Sequence, residues 1–187
     1  MQPVTLRTAR LELSLPTEND VDAIYAACQD ELIQRFTTVP SPYERTHAEG
    51  FVAKVAGWWD AGTEATWAVR HEGALAGMMG LHRLNQGSGE LGYWMTPAVR
   101  GQGLVSEAAR CVIDWGFSPD GLGLRRIEWR AVVDNPASHR VAQRLGFRYE
   151  GRVRAVLVNG AGVRADGLIA GLLAEDERTP QVWLPAD

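Results

Sequence analysis

Seven consecutive residues near the middle of the chain, Arg100-Gly101-Gln102-Gly103-Leu104-Val105-Ser106, have the types and spacing of an anion site. Gly101 and Gly103 lack a Cβ, so the backbone can approach a ligand closely there. The apolar spacing after Gly103 predicts a helix running to Phe117. The first turn of such a helix leaves its N–H groups unpaired and directed back at the glycines, and the helix dipole adds partial positive charge. A pyrophosphate suits such a turn. Arg100 adds a formal charge beside it. Two phosphate signatures do not fit. A P-loop needs four residues between its glycines and then a lysine, and no lysine stands here. A dinucleotide fingerprint needs a third Gly or Ala, but Ser106 stands there, and it needs an opening βαβ unit where a meander precedes this turn.

A second helix start lies downstream. Asn135 has the character of an N-cap, Pro136 of a first helical residue and Gly146 of a stop. Ser138 then falls in the first turn, where a hydroxyl can satisfy backbone donors. The four histidines, His47, His71, His82 and His139, have no metal-ligand spacing, and His139 reads as a solvated helix residue. Cys28 and Cys111 are far apart and sit in helix-like apolar patterns, as reduced core residues do.

The elements that position these residues follow from periodicity. Thr5 to Leu15 alternates as a strand and Pro16 breaks it. Thr17 caps a helix carrying Val21, Ile24, Tyr25 and Cys28, and Phe36 to Tyr43 is a proline-rich loop. Thr46 caps a helix to about Trp59, with Phe51, Val52, Val55 and Trp58 as its stripe. Three strands, Ala65 to His71, Leu75 to Leu84 and Glu90 to Thr96, form an antiparallel meander before the glycine turn. After the helix come a strand at Arg125 to Val133, a helix at Pro136 to Leu145, and strands at Phe147 to Leu157 and Val163 to Leu173. The expectation is one α/β domain over residues 1–187, with a mixed, largely antiparallel sheet of about seven strands flanked by helices.

Composition agrees with that size. The chain has 187 residues, 45% of them hydrophobic and 22% charged, and a formal charge of −4. That balance argues against nucleic acid as a partner. No stretch reads as a secretory leader or a membrane span, so the expected setting is cytoplasmic and away from the membrane.

The turn also resembles the acetyl-coenzyme A turn of the GNAT acetyltransferase superfamily, Arg/Gln-x-x-Gly-x-Gly/Ala. Arg100 and Gly103 match it, and Val105 stands where Gly or Ala is usual. The resemblance extends to Glu90-Leu91-Gly92-Tyr93-Trp94 with Pro97, to Asp134-Asn135-Pro136-Ala137-Ser138 with Arg140-Val141-Ala142 and Leu145-Gly146-Phe147, and to the opening Leu6-x-Thr-x-Arg-Leu-x-Leu. These blocks keep the family's order over most of the chain. They are most similar to the RimJ/RimL-like branch of ribosomal-protein N-terminal acetyltransferases.

The resemblance implies acetyl-coenzyme A as co-substrate, no metal, and an amine acceptor, either a protein N-terminus or a small molecule. A catalytically silent coenzyme-binding domain is the other reading, and monomer and homodimer both stay open. It implies that the backbone of Gly101, Gln102, Gly103, Leu104, Val105 and Ser106 holds the pyrophosphate, with Arg100 beside it. Met95 would pair its backbone with the coenzyme's amide arm, where the central strand splays from the next and a bulge aims an N–H at the thioester carbonyl. Asn135 would touch the same arm besides capping. Ser138, or water, would protonate the leaving thiolate, since Ala170 stands where relatives often carry a tyrosine. Glu90 would serve as general base or as a structural carboxylate. The acceptor pocket is expected between Phe36–Tyr43 and the segment near Asn159, with Trp58, Trp59, Trp67 and Trp94 as core or as walls.

Overall fold

The computed structural model describes residues 1–183. Its elements in chain order are β1 (Leu6–Arg7), β2 (Leu11–Ser14), α1 (Val21–Ala27), α2 (Glu31–Phe36), α3 (Arg45–Ala61), β3 (Ala65–His71), β4 (Ala74–Asn85), β5 (Ser88–Met95), α4 (Leu104–Phe117), β6 (Arg126–Val132), α5 (Pro136–Arg144), β7 (Arg148–Val158) and β8 (Arg164–Leu173). The strands form one eight-stranded sheet in the order β1-β2-β3-β4-β5-β6-β8-β7. Every neighbouring pair is antiparallel except β5 with β6. That parallel pair needs a crossover, and α4 supplies it.

The strand total exceeds the expected seven because Thr5–Leu15 is not one strand. The chain reverses between Thr8 and Leu11: the Thr8 N–H donates to the Leu11 carbonyl (2.9 Å) and the Thr8 hydroxyl accepts from the Leu11 N–H (3.0 Å). Alternation alone does not distinguish a continuous strand from a tight hairpin that keeps phase. The six-residue helix α2 was also hidden, being too short for a clear period; the Asp30 side chain caps it by accepting from the Ile33 N–H (3.0 Å). Helix α3 is capped by Glu44, not Thr46, with His47 Nδ1 accepting the Glu44 N–H (3.0 Å).

Cross-strand partners share a face of the sheet. On one face the row Ala65, Leu81, Leu91, Trp129, Ala170 crosses five strands, and every member is buried. Helix α4 packs there through Leu104, Ala108, Val112 and Ile113, and α5 through Val141 and Ala142. Trp59 and Trp67 belong to this core, their rings edge-on at 4.9 Å, and both meet Trp115 at 5.7 and 5.2 Å. Trp58 is only half-buried, so the stripe expected on α3 is rotated by one residue at its end. On the other face α1, α2 and α3 cover Ala68 and Met78 with Val21, Ile24, Cys28, Ile33, Tyr43 and Ala48. Cys28 is a core residue as expected, its thiol pushed up to about 12 by burial. Cys111 is half-buried on α4 instead.

Candidate active site

The glycine turn forms as the sequence requires. Gly101 and Gly103 adopt φ of 78° and 77°, in the left-handed region that side chains disfavour. The first α4 donor with a helical partner is the Glu107 N–H, bonded to the Gly103 carbonyl (3.2 Å), so the N–H groups of Leu104, Val105 and Ser106 precede the ladder. Val105 is half-buried against the core, so its branched Cβ is held in packing.

Arg100 does not stand free beside this turn. Its guanidinium meets the Asp30 carboxylate (2.7 and 3.3 Å) and its Nε donates to the Met95 carbonyl (3.2 Å). Arg100 in turn holds the Asp30 carboxyl below the ordinary range. A residue outside the expected set, Arg10, reaches the turn from the β1–β2 reversal: Nη1 donates to the Gln102 carbonyl (3.2 Å) and Nε to Glu107 (2.7 Å). Thr8 donates to the same carboxylate (2.5 Å). The opening hairpin therefore clamps the first turn of α4.

Strands β5 and β6 pair only from Ser88↔Arg126 to Leu91↔Trp129. Beyond Leu91, residues Gly92 to Met95 lack a partner on that side, while their register with β4 continues unbroken from Gly92↔Gly80 to Met95↔Gly77. The expected splay is present. The expected bulge is not: the irregularity in this pair lies between His82 and Asn85. Backbone groups reach the gap here through the loss of a neighbour, without a bulge. One acceptor on that edge, the Met95 carbonyl, is taken by Arg100.

Across the gap stands the start of α5. The Asn135 side-chain oxygen accepts from the Ser138 N–H (3.2 Å), which leaves the Asn135 NH₂ uncommitted among the described residues. The Ser138 hydroxyl lies 2.8 Å from the Tyr93 hydroxyl and accepts from the Trp129 indole N–H (3.2 Å). Tyr93 was not singled out by the sequence. It shares the α4/α5 face with its cross-strand partner Met79, and burial pushes its pKa up, so it keeps its proton. His139 is half-buried, more enclosed than a solvated helix residue. Its Nε2 contacts the Val132 carbonyl (3.0 Å), its ring packs on Trp129 and Trp183, and burial lowers its pKa.

Glu90 lies on the opposite face, in the row His82, Glu90, Glu128, Gly171. Its carboxylate accepts from Arg83 (2.8 Å) and lies 3.7 Å from Arg130 Nε, which also pairs with Glu128. Arg126 continues the chain to Glu150 through two bonds (2.7 and 2.6 Å) that lie across Gly171, where a Cβ would clash with both side chains. Glu90 is thus one link of an alternating charge ladder. On this face the Val39–Pro40 segment and the β7–β8 turn close on each other. A Cβ on Gly160 would lie 1.7 Å from the Val39 carbonyl oxygen, and the Asn159 amide reaches the Arg35 carbonyl (3.5 Å). The β7 register shift between Val153 and Leu157, with Ala155 at φ 49°, marks a bulge in this hairpin. Trp94 is half-buried on the same side.

The structure thus holds a glycine-turn helix start, a strand pair that opens beyond Leu91 and a serine hydroxyl hydrogen-bonded to the opened strand's Tyr93. Residues 10–148 match the acetyltransferase (GNAT) domain family, and the chain belongs to that family. It is an N-acetyltransferase. It is 31% identical to the uncharacterized N-acetyltransferase YoaA of Bacillus subtilis (strain 168), over 80% of this chain and 85% of that protein. It is 37% identical to the ribosomal-protein-serine acetyltransferase of Escherichia coli (strain K12), over 43% of this chain and 45% of that protein. The fold matches Mycobacterium smegmatis RimJ, solved in complex with CoA-disulfide, with a TM-score of 0.83 at 21% identity, covering 94% and 91% of the two chains. No helix of the described residues is long and apolar enough to cross a membrane.

Proposed function

We propose that this N-acetyltransferase takes the acetyl group of acetyl-coenzyme A and transfers it to the α-amine of a protein N-terminus. The observation that carries the reading is the opened edge of β5, Gly92 to Met95, set between the glycine turn and Ser138. The backbone N–H groups of residues 101–106 bind the pyrophosphate in this reading. The β5 edge pairs with the amide arm, and the NH₂ of Asn135 reaches the same arm. The match to a ribosomal-protein-serine acetyltransferase supports a protein acceptor.

Ser138 hands a proton to the leaving thiolate. Trp129 and Tyr93 are both able to donate to its oxygen. With two donors on the two lone pairs, the serine's own hydrogen is left to point at the sulfur. Tyr93 and Trp129 thereby set the direction of the Ser138 hydroxyl.

An α-amine has a reference pKa near 7.7–8.0 and a lysine amine near 10.4, so freeing the lysine costs about 3–4 kcal/mol more at the same pH. A site whose carboxylates are tied to arginines suits the weaker base. Thiol release measured across serine-, alanine- and methionine-initiated peptides, lysine peptides with blocked termini and small amines tests the reading. Preference for the blocked lysine peptides or the small amines would overturn the acceptor class. Absence of acetyl-coenzyme A binding by calorimetry would overturn the coenzyme.

A further inference from the structure

His82 has no part in the reaction as described so far. Its position on the acceptor face is nonetheless specific. Nδ1 lies 2.9 Å from the Glu64 carboxylate. An ionised carboxylate accepts a proton bond, so that pairing places the ring hydrogen on Nδ1 and leaves the Nε2 lone pair free. Among the described residues Nε2 has no hydrogen-bond partner, and the side chain is 34% exposed. The ring leans along the sheet over the glycine pair Gly80 and Gly92. A Cβ on Gly92 would lie 2.8 Å from Nε2, and one on Gly80 would lie 3.0 Å from it. Those two glycines are cross-strand partners, and Gly92 is the first β5 residue beyond the last pair with β6. The free nitrogen therefore lies over the residue where the strands part, on the face opposite Ser138.

We propose that His82 is the catalytic base that deprotonates the acceptor amine, with Glu64 as its positioning residue. This rests on the acetyl-transfer reading above. Nε2 takes one proton from the acceptor ammonium. The neutral nitrogen then forms its bond to the acetyl carbon, and the carbon–sulfur bond breaks. The nitrogen's second surplus proton ends on the thiolate through Ser138, and the imidazolium returns its proton to water. Glu90 shares the row with His82, but its carboxylate is held by Arg83 and Arg130. The charges facing the imidazole are thus Glu64 and Glu90, the second offset by Arg83 and by Arg130, which Glu128 shares.

The test follows turnover against pH with saturating acetyl-coenzyme A and a serine-initiated peptide. His82→Ala is expected to lower kcat/KM about 100-fold near neutrality and to abolish the acid limb. Added imidazole should restore turnover, and acetyl-coenzyme A affinity by calorimetry should stay as in the wild type. Glu64→Gln should lower kcat while acceptor KM and acetyl-coenzyme A affinity hold, because the ring loses the carboxylate that fixes its tautomer and direction. An unchanged acid limb in His82→Ala, no rescue by imidazole, or loss of the limb in Glu90→Gln alone would each overturn the assignment. Ring-nitrogen NMR of the wild type, assigned by difference against His82→Gln, needs no acceptor. A proton on Nε2 in place of Nδ1 overturns the base alone, whereas a wild type that acetylates no amine overturns the proposed function.

Discussion

Ser138 and Tyr93 allow the proton path to be tested by a double-mutant cycle. Ser138→Ala removes the hydroxyl and strands the Trp129 N–H, which donates to it, and the Tyr93 hydroxyl, which shares a hydrogen bond with it. Loss of a general acid predicts a fall in kcat of about 100-fold, or about 2.7 kcal/mol. Each donor left without a partner costs about 1–3 kcal/mol of stability. Tyr93→Phe keeps the acid but opens one of its lone pairs, so the serine hydrogen can turn away from the sulfur. The expected loss is about tenfold in kcat, or about 1.4 kcal/mol. The double variant should be no slower than Ser138→Ala, because Tyr93 acts only through Ser138. Its stability loss should be smaller than the sum of the singles, with a coupling of about 1–2 kcal/mol. The assays are single-turnover thiol release and urea unfolding on all four proteins. If the two kcat losses multiply to about 1,000-fold, the residues act independently and the orienting role is wrong. If Tyr93→Phe leaves kcat and its pH profile unchanged, Tyr93 is packing alone.

Gly160→Ala would set a Cβ 1.7 Å from the Val39 carbonyl oxygen and force the β7–β8 turn off the Val39–Pro40 segment. Acceptor KM should rise about tenfold while calorimetric coenzyme affinity holds, and an unchanged KM would remove this contact from the acceptor pocket. Asp30→Asn keeps a side chain that caps α2 but frees Arg100, so acetyl-coenzyme A should bind severalfold tighter with a steeper salt dependence; equal affinity would show that Arg100 does not reach phosphate. Asp20 is buried, which works against its charge, yet two Arg70 bonds (2.6 and 2.8 Å) and the Thr17 N–H (2.8 Å) outweigh burial and hold its pKa below the ordinary value. A depressed carboxyl contributes stability that is fully present above its unfolded pKa of about 3.9 and is lost as pH falls through the folded value. Asp20→Asn should therefore cost about 2 kcal/mol at neutral pH and flatten the acid limb of stability in denaturant titrations at several pH values. An acid limb as steep as the wild type's would place the linkage elsewhere.

The elements legible in the sequence were those with a full period and a marked end. Helix α4 and strand β3 were read almost to the residue, because Gly103 and the Gly73 turn bound long patterns. The glycine turn was legible because it is local. Its φ values and free N–H groups follow from neighbours in the chain. Tyr93 and His82 were illegible for the opposite reason. Each is an ordinary alternating strand residue until the register puts it beside a partner 45 or 18 positions away. The Gly80–Gly92 pair carried a signal: two glycines inside strands mark a close approach, and the group that approaches is the His82 ring. The charge pairing was equally hidden, since Asp30 lies 70 residues from Arg100 and Glu107 lies 97 from Arg10.

That pairing changes how the turn must hold an anion. Both arginines near it are already matched, Arg100 by Asp30 and Arg10 by Glu107. The Arg10 guanidinium also points at a carbonyl of the turn, which is the act of a brace. Binding in the proposed reading therefore falls to oriented backbone donors at the start of α4, whose direction is fixed before the ligand arrives. In that reading Val105, at a position where glycine or alanine is usual, does not obstruct the ligand. Its side chain packs inward against the core while its N–H stays in the first turn. The same economy governs both sides of the opening. On one, the first donors of α4 have no helical partners; on the other, Glu90 and Glu128 are paired with arginines and the imidazole of His82 keeps a nitrogen without a partner among the described residues.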